Sequence, residues 1–575
     1  MQITKEEILS WGWKDFEPYY ASLENQPLSA ANVEGWLKDW STISSIADEL
    51  YNRLYVAVST NTADEKAAQQ LEDYMHQTYP HLKSAEQKMK QKLLASGLKV
   101  EGMEVPLRNM RAEVDLFREE NLELEARQEK LNTEHDKVMG AQNVEYRGEQ
   151  KTVRQMEALL WETDRHVRRE GWEKLAFRQL EDREIINQQW MDYMELRRQI
   201  ARNADKENFR AYRWQQLRRF DYTPEDCVAF QDAIEEAVVP AVSHLMERRK
   251  KALGIAQLRY YDLFVDLSGK PPLAPFKDIS ELTKKANAVF YQVHPDFGKY
   301  FTSMDKEGLL DLANRQNKAA GAYCTQFSYT KRPFIFANAV GIHDDVQSIL
   351  HESGHAFHAF ETFSLPYFQQ YAEYALPMEF AEVASMGMEF LALPYLEQKY
   401  GGFYEPADSA RARVDHIEAS LLFWPYMAMV DAFQHWAYEN FEEGCNPQKC
   451  DEKWGELEAR FRPHIDWSGY EEVMKTGWQR KDHIHQAPFY YIEYGLAQLG
   501  AVQIWAGAIQ DQSRAVSQYR RALALGGTAP LPKLFETAGA EFAFNAQTLK
   551  KAVELMTEAI NELEKSIAMN KKLAS

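Results

Sequence analysis

Apolar positions along this chain recur mostly at helical spacing. From Met110 to Ala204, Leu, Met, Trp and Ile return every three or four residues among alternating charges, in ELEARQEKLNTEHDKV and then RQMEALLWETDRHVRREGWEKLAFRQLEDREIINQQWMDYMELRRQIA. That period places the apolar side chains on one face and predicts long helices packed side by side. His135 and His166 fall in this stretch with no partner at ligand spacing and are expected to be structural. The first dense punctuation, LSGKPPLAPF from Leu267 to Phe276, follows RYYDLFVDL and predicts an ordered loop. Helices then resume to about Gln316.

The segment GAYCTQFSYTKRPFIFANAVG, Gly321 to Gly341, departs from this pattern. Its β-branched and aromatic residues, with Gly and Pro at the margins, predict the one stretch of strand. It runs straight into DDVQSILHESGHAFHAF, Asp344 to Phe360, where helical period returns. Val346, Ile349, Leu350, Ala356, Phe357 and Phe360 supply a buried flank, and Asp344 with Gln347 reads as a capping pair. Further helices follow from about Pro377, with loops at YGGFYEPADS and FEEGCNPQKCD, a segment HIHQAPFYYIEYGLAQLGAVQIW from His483, and a C-terminal amphipathic helix after LGGTAPLPKLFETAG. The expected fold class is mainly α, with a small β-sheet next to the helix at 344–360. Two parts are expected, a helical N-terminal domain over 1–215 and a second domain over 216–575 that carries the chemistry.

Composition narrows the function. With 575 residues, 45% of them hydrophobic, the chain can bury a large core. A formal charge of −20 argues against nucleic acid or an anionic membrane surface as partner. Four cysteines, Cys227, Cys324, Cys445 and Cys450, are too few for a disulfide framework, and the last two lack C-x-x-C spacing. The N-terminus has no apolar signal core, and the longest apolar run, LLFWPYMAMV from Leu421, contains Pro425 and stops at Asp431. A cytoplasmic, soluble protein is expected; oligomeric state is left open, with a monomer favoured.

The candidate chemistry lies at His351-Glu352-Ser353-Gly354-His355. Residues four apart on a helix share a face, so the two imidazoles of His351 and His355 form half of a tetrahedral zinc site, and Glu352 can reach a water there. One Zn2+ per chain is the expected cofactor. A third ligand is needed. In the metzincin pattern it would be a His at 361, where this chain has Glu361. His358 shares the face but sits about 10 Å along the helix, which suits packing or support of a ligand better than coordination. Glu379 and Glu382, on the next helix, are the better candidates. A sheet edge formed by 321–341 could pair with an extended peptide, making Phe336, Ala337, Asn338 and Gly341 candidate substrate contacts.

At GAYC, PFIFANAVG, HESGHAFH, FAEVAS and PFYYIEYGLAQLGA the chain resembles the M3 family of zinc metallopeptidases, the thimet oligopeptidase and oligoendopeptidase F group, and within it the oligoendopeptidase F-like branch. Weaker echoes occur at RYYDLF and IARNADKENFRAYRW. The resemblance implies that Glu382, in Phe380-Ala381-Glu382-Val383, is the third zinc ligand, although Ala384-Ser385-Met386 stands where relatives often have Pro-Ser-Gln. Glu379 is then either a carboxylate that orients a ligand imidazole or a merely solvated one. The resemblance places Tyr490, Tyr494 and His483, with His485 as alternative, over a scissile carbonyl. It further implies a helical ellipsoid with a deep channel walled by the helices before residue 215, and short unstructured peptides as substrates. Rival readings are a zinc exopeptidase, marked by an Arg or Lys gripping a substrate terminus, and a helical scaffold with a structural metal.

Overall fold

The computed structural model describes residues 3–267 and 269–574, and helix dominates it. The elements that matter here are α1 (Val33–Thr60), α2 (Arg183–Asn203), α3 (Phe209–Gln216), α4 (Pro224–Ala237), α5 (His343–Thr362), α6 (Met378–Ala392), α7 (Pro406–Glu439), α8 (Tyr491–Gln510) and α9 (Gln512–Leu523). Residues from Ile8 to Met110, with Trp36 and Trp40 fully buried, pack into a core of their own. From Leu116 onward the helices share one larger core that extends to Ile560. Among the described residues, no helix is long and apolar enough to cross a membrane.

Strand is less confined than the sequence suggests. A hairpin of β1 (Asn143–Tyr146) and β2 (Glu149–Thr152) interrupts the stretch expected to be all helix. Its turn residues Arg147 and Gly148 both take positive φ, 55° and 85°, the two-residue geometry that suits hairpin twist. A three-stranded sheet has the order β3 (Leu310–Ala313), β5 (Arg332–Ala339), β4 (Tyr323–Phe327). β5 is therefore internal, parallel to β3 and antiparallel to β4, and β3 and β4 are the two edges.

α5 leaves this sheet one residue earlier than expected, at His343. The carboxylate that fixes its start is Asp345 rather than the Asp344–Gln347 pair: Asp345 Oδ2 accepts from the N–H groups of Val340, Gly341 and Ile342 at 2.8, 2.7 and 2.9 Å. Negative charge there also complements the N-terminal end of the helix dipole.

α5 then crosses α6 with backbone nearly touching backbone. A Cβ added at Gly354 would lie 2.5 Å from both the Ala384 carbonyl oxygen and Ser385 Cα of α6. Only glycine permits that approach, and it sits between the two histidines of α5. Tyr519 of α9 donates to the same Ala384 carbonyl and secures α6 from behind. Gly354→Ala is expected to force the helices apart and destabilise the protein by about 1–3 kcal/mol; denaturant unfolding of the metal-free protein checks this.

Candidate metal and acid–base site

The α5–α6 crossing sets the site. His351 and His355 project from one face of α5 with ring centroids 5.0 Å apart and planes nearly perpendicular. α6 presents Glu382 opposite them, its Oε2 at 3.5 Å from His351 Nε2 and 3.7 Å from His355 Nε2. One donor atom from each of the three residues lies within 4.8 Å of the other two. Glu382 is buried while the imidazoles are 26% and 23% exposed, so the cluster opens on the histidine side. Ser385 donates to Glu382 Oε2 at 3.0 Å.

A carboxylate that the sequence reading missed fixes the first imidazole. Glu389 Oε1 stands 2.7 Å from His351 Nδ1, which leaves Nε2 facing Glu382. Glu389 is seven residues past Glu382, two turns along the same face of α6, and that spacing was its only mark in the sequence. Burial alone would strip charge from His351, but hydrogen bonds and attraction from Glu382 and Glu389 outweigh it and hold its pKa well above the ordinary imidazole range. Burial pushes His355 down to about 4, with Glu382 opposing. Burial would raise Glu382, yet the two histidines and Ser385 bring it down to about 2. Carboxylates thus outnumber cations here, and two imidazole nitrogens converge with a carboxylate oxygen as a divalent-cation donor set does once His351 gives up its extra proton. These residues fit a zinc ion.

Glu352, 8% exposed, follows His351 directly on α5. Burial pushes its carboxyl up to about 7; Glu382 and Glu389 add to this, while His351 and the backbone N–H of Cys324 in β4 oppose it. The phenols come from the far side. Tyr490 caps α8, and its OH donates to Glu382 Oε1 at 3.3 Å. Tyr494, one turn on, packs against it with centroids 5.2 Å apart, and His483 closes the group at 5.7 and 6.3 Å from the two rings. Burial, reinforced by Glu382, raises the pKa of both tyrosines. Burial beside Lys481 lowers His483 to about 4. All three are neutral donors near neutral pH. His485, the alternative to His483, is fully buried between Trp190 and Trp478 and faces away from this group.

Several expectations need correction. Glu379 does not orient an imidazole: it is buried, receives the Tyr222 hydroxyl at 2.6 Å and stands 3.6 Å from Arg219 Nε. His358 is buried edge-on to Phe380, and no hydrogen bond joins it to His351, His355 or Glu382 among the described residues. Phe336, Ala337, Asn338 and Gly341 are not free for a peptide. Phe336 is fully buried and stacked on Tyr323, the Ala337 carbonyl accepts from Lys318 at 2.5 Å, Asn338 bonds the carbonyls of Ala319 and Gly321, and the Gly341 N–H is held by Asp345. The physical reason is that β5 is paired on both sides, which leaves β3 and β4 as the edges of the sheet. A second set of ligand-type residues, Cys227, Asp431 and His435, is buried in the core. Arg210 Nη1 lies 3.2 Å from His435 Nδ1 and can only donate, so the imidazole proton sits on Nε2 facing Asp431 at 3.5 Å. Gln231 donates to Asp431 Oδ2 at 2.7 Å, and among the described residues His435 Nε2 and Asp431 Oδ1 have no hydrogen-bond partner.

Comparison with known proteins bears on the family and the fold. The sequence model of peptidase family M3 matches residues 158–554, and that of the peptidase M3 N-terminal domain matches 12–117. An oligoendopeptidase F homolog of Lactococcus lactis subsp. lactis (strain IL1403) is 24% identical over 347 residues, 58% of this chain and 54% of the relative. The oligopeptidase PepF of Bacillus subtilis (strain 168) is 21% identical over 333 residues, 57% and 47% of the two chains. The chain thus spans about half the length of the curated relatives it matches. Over whole folds the agreement is wider. A crystal structure described as an oligoendopeptidase F superimposes with TM-score 0.86 at 25% identity, covering 96% of this chain and 97% of that one. PZ peptidase A with an inhibitor superimposes with TM-score 0.85 at 26% identity, covering 98% of each chain. The fold is that of a large helical ellipsoid.

Two outcomes are expected. Glu389→Gln weakens zinc affinity about 10- to 100-fold, read by competition with a chelator. In the metal-free protein, Glu352→Gln removes a group whose folded pKa, about 7, exceeds its unfolded value of 4.5. Wild type is therefore penalised as pH rises through that window, and the variant gains a few kcal/mol over it at pH 8 but nothing at pH 4; denaturant unfolding at both pH values checks the sign.

Proposed function

The chain belongs to peptidase family M3, in its oligoendopeptidase F-like branch, and from that premise we propose that it is a zinc-dependent oligoendopeptidase hydrolysing internal bonds of short, unstructured peptides. The observation that carries the reading is the convergence of His351, His355 and Glu382 donor atoms within 4.8 Å, with the buried carboxyl of Glu352 beside them and neutral phenols opposite.

His351, His355 and Glu382 would hold one zinc ion per chain. When bound, zinc supplies a Lewis acid toward the peptide carbonyl and lowers the pKa of a water to about 7. Glu352 accepts the proton of the attacking water as its oxygen bonds the carbonyl carbon, then gives that proton to the amine leaving on C–N cleavage. A carboxylate shielded from bulk water suits both directions of transfer, because its pKa lies near neutrality. Tyr494, Tyr490 and His483 donate to the oxyanion that grows on the carbonyl oxygen. Those bonds strengthen as charge develops and so favour the transition state over the bound peptide. Glu389 keeps His351 in the tautomer that turns Nε2 inward.

An extended peptide would lie along the outer edge of β4, where the Cys324 N–H meets Glu352 and the Gln326 carbonyl accepts from Asn52, and gain affinity from main-chain hydrogen bonds. The helices before residue 215, within the N-terminal part, would wall the channel leading to it, admitting flexible chains and excluding folded proteins; residues 216–575 carry the catalytic part. One observation favours exopeptidase action as a second reading. Lys481 is half-buried next to His483, its ammonium 4.5 Å from the Tyr491 ring centre, and could bind a substrate carboxylate terminus.

Glu352→Gln is expected to retain one zinc per chain while cleavage of an internally quenched peptide falls about 10²- to 10⁴-fold. Wild-type turnover in that variant, or chelator-insensitive cleavage by the native protein, would overturn the assignment. Mapping cut positions in a mixed peptide pool by mass spectrometry separates internal cleavage from trimming at the C-terminus.

A further inference from the structure

The phenols opposite Glu382 stand on an unusual support. The residue before Tyr490 is Phe489, whose φ of +65° puts a bulky side chain in the left-handed region. Such a conformation persists only where the surroundings over-determine it. Here they do. The Phe489 N–H donates to Gln434 Oε1 of α7 at 3.0 Å, its carbonyl accepts from Arg219 Nη2 at 2.5 Å, and its fully buried ring packs on Trp214, His435 and Tyr438. Two more arginines grip the same loop: Arg197 of α2 bonds the His485 carbonyl and Arg213 of α3 bonds the Pro488 carbonyl at 3.2 Å.

Arg219 does more than cap one carbonyl. Its Nη2 also reaches Glu493 Oε1 at 2.7 Å, in the first turn of the tyrosine helix α8, and its Nε stands 3.6 Å from Glu379 Oε1, one turn before Glu382 on α6. Arg219 and Glu379 are each 4% exposed and Glu493 1%. Both hydrogen bonds leave Nη2, whose two N–H groups the planar guanidinium holds at a fixed angle, whereas an ammonium on a flexible stem has no such preset geometry; Nε and Nη1 have no hydrogen-bond partner among the described residues. Burying a guanidinium between two carboxylates also carries a desolvation cost that apolar residues of the same volume would avoid. A cross-link between the helix of a zinc-binding carboxylate and the helix of the oxyanion donors gives that arrangement a purpose beyond packing.

We propose that Arg219 is a positioning residue of the hydrolytic site: through the Phe489 carbonyl, Glu493 and Glu379 it holds the Tyr490 and Tyr494 hydroxyls at their working distance from Glu382. The inference rests on the hydrolytic reading above for its kinetic readout and stands apart from it in its structural one.

The test is Arg219→Lys, which keeps the charge and loses the fork, made in the native chain and in a Tyr490→Phe/Tyr494→Phe background. In the native chain kcat on a quenched peptide is expected to fall about 100-fold, as a roughly 1 Å misplacement does, with KM within about twofold and zinc content unchanged. In the double-phenylalanine background the same substitution costs less than about twofold, since coupled groups are not additive. Amide hydrogen exchange speeds up over 484–494 and not over α5. If Arg219→Lys does not fold, the charge-neutral pair Arg219→Gln/Glu493→Gln replaces it in all arms. Full kcat in the variant, an equal loss with and without the tyrosine hydroxyls, or unchanged exchange over 484–494 would each overturn the proposal. Should the native protein cleave no peptide, the hydrolytic reading falls, and the exchange arm alone decides whether Arg219 holds this loop.

Discussion

The structure depends on a contact between two helix backbones. Gly354 lets α5 approach α6 to a distance that no side chain would allow, and at this crossing a carboxylate of one helix stands 3.5 and 3.7 Å from two imidazoles of the other. Had the helices packed at the usual 8–10 Å over ordinary side chains, Glu382 would be too far from His351 and His355 to share a cation. Everything around the crossing keeps it in register: Asp345 fixes where α5 begins, the Tyr519 hydroxyl holds α6 at Ala384, and the sheet sets the direction from which α5 leaves.

A second feature follows from the first. The crossing concentrates Glu352, Glu382 and Glu389 around two histidines in a place with little water. The protein responds by charging one imidazole, His351, while keeping the other neutral, and by letting Glu352 hold a proton up to about pH 7. A divalent cation in this setting replaces the extra charge on His351 and relieves repulsion among the acids. On the opposite wall the same burial keeps the phenols and His483 uncharged, so donors face the place where negative charge would grow. Opposite roles for similar groups thus come from position rather than from residue type.

Much of this was legible in the sequence. Helical periodicity gave the fold class, and i,i+4 spacing in HESGH put His351 and His355 on one face with Glu352 beside them. The choice of Glu382 over Glu379, and the roles of Tyr490, Tyr494 and His483, came from the resemblance to the M3 family. What the sequence did not give is whatever depends on which element lies next to which. Glu379 and Glu389 both sit on α6 with Glu382, yet one turns toward Arg219 and the other toward His351, and their spacing alone does not tell them apart. The segment at 321–341 read correctly as strand, but pairing of β3 to its far side made β5 internal and left β3 and β4 as the edges. The hairpin at 143–152 was hidden inside charged, helix-like sequence, its signal reduced to Arg147-Gly148. Arg219 carries no motif; its contacts to the loop at Phe489 and to α6 and α8 emerge only from the fold.

The central claim, that two imidazoles of α5 and one carboxylate of α6 hold a single zinc, is tested most directly by zinc X-ray absorption on the loaded protein, wild type and Glu382→Ala. The account predicts one zinc per chain bound by nitrogen and oxygen only, with two imidazoles at about 2.0–2.1 Å and a carboxylate at about 2.0–2.2 Å, and loss of that signal in the variant. A sulfur shell near 2.3 Å, or a spectrum unchanged by Glu382→Ala, would contradict it.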